Sequence, residues 1–85
     1  MNKNKILVQL EIPMLEKKID LFIPINKKIG TIKSLIEKAL VDMSGHSSVV
    51  SDKSNIYNKA TGEIYNVNES VKNTDLENGS KIVLI

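Results

Sequence analysis

Eighty-five residues make one domain with a single modest core, because a chain this short buries only about 60% of its unfolded surface. Hydrophobic residues make up 41% and cysteine is absent, which excludes a disordered tail, a disulfide scaffold, a thiolate metal site and thiol catalysis. The net charge is +2 and all twelve basic residues are lysine, so the guanidinium chemistry that reads guanine edges and phosphates is missing and nucleic-acid binding is disfavoured.

Ile6, Val8, Leu10 and Ile12 alternate with Lys5, Leu7, Gln9 and Glu11, the period of two that marks a half-buried strand. The basic-then-apolar start therefore reads as a strand and not as a signal peptide: Gln9 and Glu11 interrupt it and no small-residue cleavage site follows. No apolar run approaches the roughly 18 residues that span a bilayer, and the expected compartment is the cytoplasm. Residues 13–17 break the alternation. It resumes with Ile19, Leu21 and Ile23 against Lys18, Asp20, Phe22 and Pro24. Pro24 has no N–H for a ladder, so this strand ends near it or leaves that position unpaired. An antiparallel hairpin is expected.

The period then changes. Ile29, Ile32, Ile36, Leu40 and Met43, with Leu35 and Ala39 alongside, follow helical spacing, and Lys33, Ser34, Glu37, Lys38 and Asp42 fall mostly on the other face. Gly30 or Thr31 is expected to cap the start and Gly45 the end. Lys33–Glu37 and Lys38–Asp42 are spaced for weak ion pairs. Residues 44–54 hold five serines around Val49 and Val50 and read as a loop with room for a short strand. The runs 55–58 and 63–66, joined by Lys59-Ala60-Thr61-Gly62, carry a hairpin signal. Tyr57 and Tyr65 are expected to face each other across it. Val71 and Leu76 stand alone in a polar segment, as anchors of a loop or a short helical turn. Asn78-Gly79 marks a turn, and Lys81-Ile82-Val83-Leu84-Ile85 is a last strand.

The element order is strand, strand, helix, strand, strand, strand, within one domain spanning residues 1–85. One helix over a small mixed sheet of four to five strands gives a two-layer α+β domain, and this order is that of the β-grasp fold. The spacing of Ile19, Leu21, Ile23, Ile29, Ile32 and Ile36, then of Val71, Leu76, Asn78-Gly79, Ile82 and Leu84, resembles the ubiquitin-like superfamily. Within it, Asp20-Leu21-Phe22-Ile23-Pro24 and Leu76-Glu77-Asn78-Gly79-Ser80-Lys81-Ile82-Val83-Leu84 are similar to the small YukD/EsaB-like proteins of type VII (WXG100, ESX-like) secretion systems of Gram-positive bacteria.

The resemblance implies a cytosolic accessory protein that works by binding components of the secretion machinery, with no enzymatic activity. Ubiquitin and its sulfur-carrier relatives react through a flexible tail ending in Gly-Gly. Here no glycine follows Gly79, so a non-conjugating protein is expected. A sulfur-carrier or protein-modifier relative and a small regulatory nucleic-acid binder are the alternatives.

No side chains call for a cofactor or a metal. His46, the one histidine, sits among serines, and neighbours in sequence do not make a nucleophile–base pair. No acidic cluster has metal-ligand spacing and no glycine run has phosphate-loop spacing. The lysine pairs 17–18 and 27–28, with Lys33 and Lys38, read first as a solubilising face. The stronger candidate is apolar. If Ile19, Leu21, Ile23, Ile82 and Leu84 face the helix, then Leu7, Phe22, Val83 and Ile85 face outward. In the β-grasp order their strands are neighbours, so these four are expected to form one protein-contact patch on the open sheet face. Ubiquitin uses that face for recognition. The sequence leaves open which partner is bound, including a second copy of the chain.

Overall fold

The computed structural model describes residues 4–44 and 54–85, the side chains of Met43 and Ser44 excepted. The expected Gly45 cap, His46 and the valines at 49 and 50 lie outside the described residues.

Strands β1 (Lys5–Ile12) and β2 (Lys17–Pro24) form an antiparallel hairpin in which Leu7 pairs with Phe22 and Leu10 with Ile19. A 3-10 turn, Pro13–Leu15, closes it, and the left-handed Glu16 (φ 52°) reverses the chain into β2. Val8, Leu10, Ile12 and Ile23 are buried, with Ile19 and Leu21 half-buried beside them, so the alternation seen in the sequence sorts the two faces.

Helix α1 (Ile29–Ser44) lays Ile29, Ile32, Ile36 and Leu40 into the core, each 3% exposed or less. That is one stripe at spacings of three and four. Leu35 lies off the stripe, half exposed. The helix starts one residue before Gly30, so neither Gly30 nor Thr31 is its cap. Its first donors are met by a distant loop: Ile29 N donates to Glu69 O at 2.9 Å and Gly30 N to Val67 O at 2.9 Å. A Cβ on Gly30 would stand 3.2 Å from Val67 O, which makes glycine the residue that lets the loop close in. Neither Lys33–Glu37 nor Lys38–Asp42 is among the ion pairs of the described residues, which both centre on Glu11.

Two short strands complete the sheet, β3 (Ile56–Asn58) and β4 (Lys81–Leu84), in the order β2-β1-β4-β3. β4 runs parallel to β1, with Leu10 opposite Ile82, and β3 pairs antiparallel with β4. Among the described residues the sheet therefore has four strands. The run 63–66 makes only a single bridge, Tyr57 to Ile64, in place of a full fifth strand. That bridge shifts the expected tyrosine pair by one residue. Tyr57 faces Ile64, while Tyr65 shares the inner side with Ile56 and packs on the core.

Val71 opens a second 3-10 turn, Val71–Asn73, and is fully buried; Leu76 is buried as well. Both act as the anchors their isolation in a polar segment implies. The Asn78-Gly79 turn then delivers β4 to β1. Asn78 Oδ1 accepts from Leu7 N at 2.7 Å, Gly79 N donates to Leu7 O at 2.8 Å, and Gly79 holds φ 90°.

Candidate functional site: the open face of the sheet

The helix and the closing loop cover one face of the sheet. On the other, the register sets the side chains in cross-strand rows. One row holds Phe22 and Leu7. The next is polar: Asp20, Gln9 and Lys81. A third runs Lys18, Glu11, Val83, Tyr57 and Ile64 across all four strands and onto the bridging segment.

The four residues singled out from the sequence, Leu7, Phe22, Val83 and Ile85, divide into two groups. Leu7 and Phe22 are direct cross-strand neighbours, 38% and 67% exposed. Val83 lies opposite Glu11, four residues farther along β1 than Leu7, or about 13 Å at strand rise. Ile85, also outward and exposed, is tied to Asn55 by backbone hydrogen bonds in both directions. The polar row separates the two groups. The fold joins Val83 and Ile85 with Tyr57 and Ile64 instead. Ile64 is 55% exposed. Neither Tyr57 nor Ile64 figures in the sequence-based patch. The available signal was the buried Ile56, which turns its neighbour Tyr57 outward.

Charge borders this apolar strip. Glu11 Oε1 lies 2.6 Å from Lys59 Nζ and 3.7 Å from Lys18 Nζ. The Lys59 hydrogen bond holds the Glu11 carboxyl below its usual range and, reciprocally, the Lys59 ammonium above its own. Both groups are solvated, so the cluster orients side chains more than it stabilises the fold.

At the edge beyond β3, Tyr65 Oη donates to Asp75 Oδ1 at 2.8 Å and Asn58 Nδ2 to Asp75 Oδ2 at 3.3 Å. Asn58 Oδ1 accepts from Ala60 N and Thr61 N, which shapes the turn. The carboxylate of Asp75 is thus engaged in holding loop to hairpin. Among the described residues no group of three or more His, Cys, Asp or Glu is placed to hold a metal ion. None of the helices among them is long and apolar enough to cross a membrane.

Among the described residues, a mixed four-stranded sheet with a parallel β1–β4 pair, one long helix on one face and a closing 3-10 turn decide the fold. It is the ubiquitin-like β-grasp. Among solved structures, the ubiquitin of Caldiarchaeum subterraneum superimposes with a TM-score of 0.69 at 15% identity over 94% of this chain and 90% of its own. The ubiquitin-like domain of the Mycobacterium tuberculosis type VII secretion protein EccD1 does so with a TM-score of 0.71 at 12% identity, over 95% of this chain and 97% of its own. A chain of the MycP5-free ESX-5 inner membrane complex reaches 0.77 at 10% identity over 96% of this chain, which spans 21% of that chain. No protein-family model matches the sequence, and no curated protein matches it significantly.

Proposed function

We propose that this ubiquitin-like protein is a cytoplasmic interaction module of a bacterial type VII secretion system, of the YukD/EsaB-like kind. It acts by binding a component of the machinery, with neither catalysis nor conjugation. The observation that carries the reading is the outward strip Val83–Tyr57–Ile64, flanked by Ile85 and bordered by the Lys18–Glu11–Lys59 cluster. Contiguous apolar side chains with a charged rim are the usual anatomy of a protein contact. The likeness to EccD1 and to the ESX-5 complex chain supports the choice of system.

The test is calorimetric titration of the purified chain against the soluble domains of a type VII secretion ATPase and a membrane component from the same organism. Binding is expected, and the pair Tyr57→Ser and Val83→Ser should weaken it at least about tenfold, the loss of 1.4 kcal/mol or more that a buried contact residue carries. Phe22→Ser on the separate row reports whether the second apolar group takes part. Absence of any binding by the intact chain, or binding indifferent to all three changes, would refute the reading.

A further inference from the structure

The strand β2 lies at the edge of the sheet, and its free side can be worked out from two observations. Ile25 N donates to Asn4 O at 2.8 Å, and the register pairs Lys5 with Pro24. In an antiparallel ladder the bonded pairs alternate. Residues 17, 19, 21 and 23 therefore bond to β1, and Lys18, Asp20, Phe22 and Pro24 turn their backbone groups away from it. The opposite side of β1 agrees with this parity: Leu7 and Gln9 bond toward the Asn78-Gly79 turn and Ser80. Pro24, with no N–H, occupies an edge-facing position and costs the ladder nothing. Among the described residues, nothing covers this edge.

Apolar surface flanks it on both sides. Outward stands Phe22, 67% exposed, and inward Leu35 of α1, 50% exposed. Between β2 and α1 runs an apolar groove of about 70 Å³, lined by Leu21, Ile23, Ile32, Leu35 and Ala39. That is far below the roughly 300 Å³ of a small-molecule site, but it has room for side chains of an added strand.

The edge is complementary to itself. We propose that β2 pairs antiparallel with β2 of a second copy, about a two-fold axis through Leu21, to make one eight-stranded sheet. In this register Asp20 N–H meets Phe22 C=O of the other copy, Phe22 N–H meets Asp20 C=O, and Lys18 N–H meets Pro24 C=O. Every edge donor finds an acceptor; the cost falls on the Lys18 C=O, which faces Pro24 with no N–H to receive and is left to solvent at the two ends of the seam. Lys18 of the two copies lie at opposite ends of the seam, about 20 Å apart at strand rise. The neighbouring registers are worse. One sets Asp20 directly opposite Asp20, a like-charge pair. The other leaves Lys18 N–H with no strand partner. The contact is isologous and uses the β2 edge of each copy, so it closes as a dimer and does not grow. A single strand pair buries less than the ~800 Å² per partner of a standard interface, so the dimer is concentration-dependent. This surface is distinct from the Val83–Tyr57–Ile64 strip.

The chain contains no cysteine, which makes the test direct. Leu21 would face Leu21 as a non-hydrogen-bonded pair with Cα atoms about 4.5 Å apart, inside the ~4.4–6.8 Å range a disulfide spans. Under mild oxidation Leu21→Cys should convert largely to covalent dimer, where Met14→Cys, on the exposed hairpin tip, stays mostly monomeric. In sedimentation equilibrium the wild-type mass should climb from one chain toward two with concentration. Asp20→Pro, which removes an edge donor but no β1–β2 bond, should abolish the climb while its circular dichroism stays native. A wild-type chain monomeric at every concentration, or a Leu21→Cys variant no more cross-linked than Met14→Cys, overturns the proposal. So does a dimer that survives Asp20→Pro, because its interface lies elsewhere.

Discussion

Tyr65 shows how one residue joins two parts of this fold. Its ring packs on the core beside Ile56 and its hydroxyl donates to Asp75. Burial first, then the Asp75 carboxylate, push the phenol from 10.0 up to about 12. A folded-state pKa above the unfolded one means that the stability tied to the neutral phenol is complete below pH about 10 and drains away as pH rises toward 12. Tyr65→Phe removes both the hydrogen bond and the titration. At neutral pH it is expected to cost about 0.5–1.5 kcal/mol. The difference in melting temperature between wild type and variant should shrink between pH 10 and 12, the lysine titrations cancelling because both proteins share them. A difference that stays constant over that range would show that the phenol ionises equally in both states.

At the scale of elements, the β1–β2 hairpin carries a local conflict. Glu16 sits at φ 52° and ψ 40° after the Pro13–Leu15 turn, a left-handed conformation that costs a residue with a Cβ about 1 kcal/mol and glycine almost nothing. Glu16→Gly is expected to raise stability by up to about 1 kcal/mol, visible as a higher midpoint in urea with unchanged slope. A lower midpoint would mean that the glutamate side chain contributes more than its backbone costs. The strands and the helix flanking such turns were legible because one side of each is buried: Val8, Leu10 and Ile12 at period two, then Ile29, Ile32, Ile36 and Leu40 at helical period. The run 63–66 was not, because its pairing reduces to one bridge, whose register is set by the turn at Asn58–Gly62. Nor was the division of the open face. The slide of β4 along β1 is dictated by Asn78 Oδ1 and Gly79 N gripping Leu7. Alternation tells which side of a strand a residue is on, but not which residue of a distant strand it meets.

The whole molecule depends on a segment that has almost no regular structure. The loop from Val67 to Lys72 receives Ile29 N and Gly30 N on its carbonyls at 69 and 67, and returns Val71 N to Lys27 O and Lys72 N to Ile25 O. It thereby caps the helix and clasps the β2–α1 connection in one motion of the chain, with the fully buried Val71 as its only core side chain in that stretch. Val71→Ala deletes two methyl groups from a site with no solvent access and should cost about 2 kcal/mol. If the clasp opens as a unit, the amides of Ile29, Gly30, Val71 and Lys72 will exchange faster by a common factor in the variant. Those of Val8 and Leu10, locked between neighbouring strands, will change only as far as global stability does. Equal acceleration at all six amides would instead place the clasp and the sheet in one cooperative unit, with the helix start no weaker than the core it is built upon.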